Sequence, residues 1–162
     1  PDASEISGRR ERWYAPYHAA LAGEIARLRA LHPRVVVYDC HSIRSRVPRL
    51  FDGLLPQFNI GTNSGAACDP ALTAAIEGAC AASGLGHVVD GRFKGGWITR
   101  HYGRPADGVH AIQMELAIRG YLAEPDEVGP ANWPPEFDEG FAAPLVSVLK
   151  TALEGALAFA RR

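Results

Sequence analysis

Apolar residues recur at three- and four-residue intervals from Ser4 to Leu31, where Trp13, Tyr17, Leu21, Ile25 and Leu28 alternate with Arg9, Arg10, Glu11, Arg27 and Arg29. That period predicts an amphipathic helix. Pro16 lacks the N–H that the helical ladder needs, so the spacing predicts a kink or two helices joined near Ala15, and Pro33 closes the segment. Val35 to Tyr38 is a β-branched, almost wholly apolar run, which predicts a buried central strand ending in the polar tetrapeptide Asp39-Cys40-His41-Ser42.

Ile43 to Pro56 reads as an Arg- and Pro-rich loop, and Gln57 to Ile60 as a second short strand ending in Gly61-Thr62-Asn63-Ser64-Gly65. Asp69-Pro70 supplies an N-cap and a first-turn proline for a helix through Ser83, which Gly84 stops. His87 to Asp90 and Val109 to Leu116 predict a third and a fourth strand. Between them lies a polar, glycine-rich and aromatic loop, Lys94 to Pro105. Glu124 to Pro135 holds four prolines and reads as a linker or surface strap. Leu145, Leu149, Leu153 and Leu157 then define a final helix whose leucine stripe is expected to pack in the core. Strands alternating with helices imply an α/β protein, and its 162 residues suit one domain, 1–162.

Composition narrows the function. The chain is 47% hydrophobic and 22% charged, within the globular range. Its formal net charge of -1 removes the basic footprint of a nucleic-acid binder. The only lysines are Lys94 and Lys150, so the cations are chiefly guanidinium groups, suited to planar recognition of carboxylates. Cys40, Cys68 and Cys80 are odd in number and lack C-x-x-C spacing, which points to buried, reduced thiols. With no apolar signal segment and no run near the roughly 18 residues of a spanning helix, no membrane partner and a soluble, cytoplasmic location are expected.

No G-x-S-x-G elbow, no phosphate-binding P-loop and no H-E-x-x-H pair is present. Two features stand out. His41 lies at the carboxyl end of a strand, where open α/β sheets bind ligands, and a neutral imidazole there suits a metal. Glu115 lies within the apolar pattern of the last strand, where it is either paired or desolvated, and either state suits a general base. Each taken alone is compatible with an ordinary structural role.

Together with Asn59-Ile60-Gly61-Thr62, the stretch Gly91 to Pro105 and Val109 to Leu116, the Asp39-Cys40-His41-Ser42-Ile43-Arg44-Ser45 segment closely resembles the N-formylglutamate amidohydrolase (deformylase) family, over almost the whole chain. That family is itself similar to the zinc carboxypeptidase and aspartoacylase group, in which a D-x-H-[ST] strand end supplies a zinc-binding histidine and a late strand the catalytic glutamate. The resemblance implies a three-layer α/β/α fold, hydrolase-like, with a mixed, mostly parallel sheet. It implies His41 as a zinc ligand and Glu115 as general base and acid. Zinc would lower the pKa of its bound water to about 7 and polarise the formyl carbonyl.

The implied products are formate and L-glutamate, in histidine breakdown. A dicarboxylate substrate needs cationic partners, for which Arg44 and Arg100 come first and Arg104, His101 and Tyr102 next. Family members are longer at the N-terminus, so the chain resembles their C-terminal portion, without the remaining zinc ligands. His18 and His32 have no spacing or strand-end context to recommend them. The sheet is then expected to be incomplete and to favour self-association. The competing reading is a non-catalytic remnant that binds anions without metal.

Overall fold

A computed structural model describes all 162 residues. It is a mixed α/β structure with a four-stranded sheet in the order β1-β4-β2-β3. The strands are β1 (Val35–Ile43), β2 (Phe58–Gly61), β3 (His87–Val89) and β4 (Val109–Ala117). β1 pairs parallel to β4 and β2 parallel to β3, while β2 and β4 run antiparallel. The apolar run Val35 to Tyr38 does form a strand, but β1 lies at the sheet's edge rather than its centre. It also extends through Asp39-Cys40-His41-Ser42, because each of these residues finds a partner along β4.

Side chains alternate across a strand, so each face has its own helices. Phe58, Ile60, Ile112 and Met114 meet Leu72, Ile76 and Cys80 of α3 (Pro70–Ala82) and Leu145, Ala152, Ala156 and Phe159 of α5 (Glu139–Ala160). A smaller cluster of Ile25, Tyr102 and Val109 joins the opposite face to α2 (Ala15–Arg29) and α4 (Trp97–Tyr102). The Asp69 carboxylate caps α3 by accepting from Ala71 N at 2.8 Å.

Three expectations change in detail. The join expected near Ala15 is a π-helical stretch rather than a break: α1 (Ala3–Arg9) leads through Arg10–Tyr14 into α2, which begins at Ala15 and holds Pro16 in its first turn, where a missing N–H is tolerated. The apolar stripe of this N-terminal segment is largely open, with Trp13 and Tyr17 exposed and Ile25 alone fully buried. The loop from Lys94 to Pro105 contains the short helix α4, held by packing of Ile98 and Tyr102 rather than by propensity.

The leucine stripe of α5 is only partly core, since Leu153 and Leu157 are exposed while Ala152, Ala156 and Phe159 point inward. A strict four-residue spacing overshoots the 3.6-residue turn and walks around the helix. By length and a mean hydropathy of 1.4, α5 is apolar enough to cross a bilayer, yet here it packs on α3 and the sheet. Cys68 and Cys80 are buried, whereas Cys40 is exposed on the edge strand, and all three are free thiols.

Candidate active site

The parallel register of β1 and β4 sets Asp39 beside Gln113 and His41 beside Glu115. Being two residues apart on each strand, all four side chains project from the same face, the one that carries Val37 and Val109 beneath α2 and α4. From the other side β2 places Asn59 opposite Glu115 and Gly61 opposite Gln113. Gly61 is required there: a Cβ would lie 2.4 Å from Gly95 N, so only glycine lets the Lys94–Gly95 backbone rest on the sheet. Asn63 N donates to Lys94 O at 2.7 Å and fixes that approach. The Asp90 carboxylate holds the end of β2 by accepting from Thr62 N at 2.8 Å and from the Thr62 hydroxyl.

The result is an open cleft of about 640 Å3 lined by His41, Gln113, Glu115, Arg92, Lys94 and Arg100, together with the backbone of Gly91 to Gly96. Glu115 is 7% exposed. Burial pushes its carboxyl above the usual range, the His41 imidazole works against that shift and the Asp39 carboxylate adds to it. Gln113 Nε2 donates to Glu115 Oε2 at 3.3 Å, and Gly96 N donates to Gln113 Oε1 at 2.6 Å. His41 is 45% exposed, with Nε2 3.1 Å from Asp39 Oδ2. That buried oxygen has no well-aligned hydrogen bond of its own. Arg100 is tied to the loop through Nη1, which donates to Gly95 O at 2.7 Å.

A catalytic zinc takes three protein ligands and keeps an open position. No group of three His, Cys, Asp or Glu side chains is gathered anywhere in the chain to hold a metal ion. His41 is the only imidazole lining the cleft, so the residues present do not complete a zinc site.

His41, Glu115 and Arg100 thus share one cleft, and four other expected substrate contacts lie elsewhere. Arg44 turns toward the strap, donating from Nε to Glu124 Oε1 at 2.8 Å and stacking 5.6 Å from the Trp133 ring. Arg104 pairs with Asp107 at 3.2 Å on the surface. The His101 ring stacks on Trp97 at 4.0 Å, and the buried Tyr102 hydroxyl lies 2.9 Å from His18 Nδ1. Conversely, Arg92, Lys94 and Gln113 line the cleft without having been singled out from the sequence. Arg92 and Lys94 flank Phe93 beside a glycine pair, a signal available in the sequence. His18, which its mid-helix position gave no reason to recommend from the sequence, borders a second lobe of about 240 Å3 that also reaches Asp39 and His41.

A family model for N-formylglutamate amidohydrolase matches residues 1–122. The chain belongs to that family. It is 48% identical to an N-formylglutamate deformylase of Pseudomonas aeruginosa over 162 residues, and 46% identical to one of Pseudomonas putida over 160. These alignments cover 99% and 98% of the chain but 58% and 57% of the two relatives, so the chain spans little more than half their length. The fold is similar to a crystal structure of N-formylglutamate amidohydrolase from Ralstonia eutropha JMP134, with a TM-score of 0.78, 25% identity, and coverage of 98% of this chain and 55% of that one. The amidohydrolase family's match takes in the whole cleft, from His41 through Arg92, Lys94 and Arg100 to Glu115.

Proposed function

We propose that the chain is part of a cytoplasmic amidohydrolase that cleaves the formyl amide of N-formyl-L-glutamate, giving formate and L-glutamate in histidine degradation. The observation that carries this reading is the buried Glu115 carboxylate beside His41 in a cleft walled by Arg92, Lys94 and Arg100. Near-half identity to two deformylases supports it.

Each part of the cleft has a role in the hydrolysis. The cations meet a dianion, and guanidinium and ammonium groups fixed on one side of the cleft select carboxylates over neutral groups. Water adds to the formyl carbon as the C–N bond breaks. Glu115 takes a proton from that water and delivers it to the departing amine, a double role that suits a carboxylate with raised proton affinity. Asp39 Oδ2, 3.1 Å from His41 Nε2, places a carboxylate beside the imidazole.

Within this reading the fold is a three-layer α/β/α arrangement, incomplete at its N-terminal side. His41 is the single zinc ligand this chain contributes, the others coming from outside these residues. The chain alone is therefore expected to bind zinc well below one per molecule by elemental analysis. One tightly held zinc per chain would overturn that part of the proposal.

The test of the reaction is formate release from N-formyl-L-glutamate by a protein spanning the relatives' full length. Glu115→Gln and His41→Ala should each lower kcat by about a thousandfold. Turnover retained in either would remove that residue from the mechanism. Binding of N-formyl-L-glutamate without turnover in the unsubstituted protein would instead assign a binding module.

A further inference from the structure

Gln113 is one of the most buried polar residues of the molecule, at 4% exposure, and neither end of its amide is idle. Gly96 N–H can only donate, so the carbonyl oxygen Oε1 must face it, at 2.6 Å. The amide is thereby oriented with its NH2 group toward Glu115 Oε2, at 3.3 Å. Gly96 is also the residue that precedes the first turn of α4, the helix carrying Arg100, and Arg100 donates back to Gly95 O. A continuous path of hydrogen bonds therefore joins the Glu115 carboxylate, the Gln113 amide, the Gly95–Gly96 backbone and the Arg100 guanidinium.

We infer that Gln113 is a positioning residue that aims the Glu115 carboxylate and locks it to the Lys94–Gly96 loop, so that base and cationic wall move as one unit. The geometry leaves few alternatives. With Oε2 held by Gln113, the second oxygen, Oε1, is the one left to meet a water in the cleft. Asn59, the neighbour from β2, bonds the Glu115 backbone carbonyl at 3.1 Å and so fixes the strand rather than the carboxylate. Gly96 fits the same design, since a Cβ there would lie 3.4 Å from Gln113 Oε1, tighter than open space yet short of a clash. The inference rests on the reading of Glu115 as the general base, and the experiment separates the two.

Three variants distinguish the parts. Gln113→Glu keeps an acceptor for Gly96 but replaces the donor to Glu115 with an oxygen. Gln113→Leu removes both bonds. Glu115→Gln removes the charge but leaves Gln113 in place. In the chain itself, amide hydrogen exchange followed by NMR should show Gly96 protected in the unsubstituted protein and in Gln113→Glu, and at least tenfold less protected in Gln113→Leu. Glu115→Gln should shift the side-chain NH2 resonances of Gln113. Resonances unmoved by Glu115→Gln, or a Gly96 amide indifferent to Gln113→Leu, would overturn the inference whether or not the chain is active.

In the full-length protein, Gln113→Glu should lower kcat for N-formyl-L-glutamate at least tenfold while KM changes less than threefold. Gln113→Leu should lower kcat and raise KM together, because it also frees the loop that carries the cations. If Glu115→Gln abolishes turnover but Gln113→Glu does not lower kcat, the inference about Gln113 fails and the base assignment stands. If Glu115→Gln keeps full activity, the base assignment itself fails.

Discussion

At the scale of single residues, Arg44 shows how a side chain's partner decides its role. Its Glu124 partner, 7% exposed at the side chain, also accepts from Ser45 N at 3.1 Å. Burial pushes the Glu124 carboxyl up, but the Ser45 and Arg44 hydrogen bonds outweigh it and hold the carboxyl below the usual range. A lowered value means that folding favours the carboxylate, so its contribution is present above pH values near the ordinary Glu range and is lost as pH falls through the lowered value. Glu124→Gln should cost about 2 kcal/mol at pH 7 in urea unfolding and should flatten the loss of stability in acid. A variant with unchanged acid sensitivity would show that the pair contributes nothing. Substrate affinity should follow the cleft rather than the arginine count. On the proposed function, Arg100→Leu and Lys94→Met should each weaken L-glutamate binding by the full-length protein about tenfold by calorimetry, a loss on the scale of one charge-assisted contact. Arg44→Leu and Arg104→Leu should leave it unchanged. That His41 and Glu115 line one cleft accords with the sequence, where His41 follows an apolar run and Glu115 interrupts one. The destinations of Arg44 and Arg104 were not legible there, because in irregular segments the side on which a residue emerges depends on partners distant in sequence.

At the scale of elements, periodicity found all four strands and the α3 and α5 helices; β2, β3, β4 and α3 fall within one or two residues of expectation, whereas β1 runs five residues beyond Tyr38 and α5 starts six before Leu145. Periodicity failed where the outcome depends on neighbours. Nothing in Val-Val-Val-Tyr distinguishes an edge from a centre, and its burial grades from Val35, fully buried, to the exposed Cys40. Gly95, Gly96 and Pro105 give the α4 segment a loop-like composition, whereas Ile98 and Tyr102 supply the burial that makes the turns form. The contact between β2 and the Lys94–Gly95 segment is equally invisible in sequence, though Gly61 marks it. Gly61→Ala should destabilise the protein by about 2 kcal/mol, the cost of overpacking against backbone that has no free direction to move. Thermal or urea unfolding checks this, and a shift below ~0.5 kcal/mol would show that the loop sits loosely.

For the whole molecule, the arrangement leaves β1 paired on one side only, with its polar tetrapeptide at an open edge. A groove of about 630 Å3 lined by Leu28, Val36, Tyr38, Leu153 and Leu157 runs beside that edge. An unpaired strand flanked by apolar side chains recruits a partner. Sedimentation should therefore show concentration-dependent self-association, and Val36→Lys should shift the population toward monomer. A single monomeric species at every concentration would rule this out.

The pairing of β1 with β4 joins residue 35 to residue 109, the longest closure in the sheet, while β2 flanks β4 on its other side with β3 beyond it. Contacts of such separation carry a loop-closure cost and form late in folding, and an edge strand has no second ladder to hold it during local opening. Detachment of β1 would leave the larger core cluster nearly whole and yet carry Asp39 and His41 away from Gln113 and Glu115. The candidate site thus depends on an edge strand, β1, whose only strand partner is β4. Warming or mild denaturant should silence the site while spectroscopic signals of the global fold are still intact.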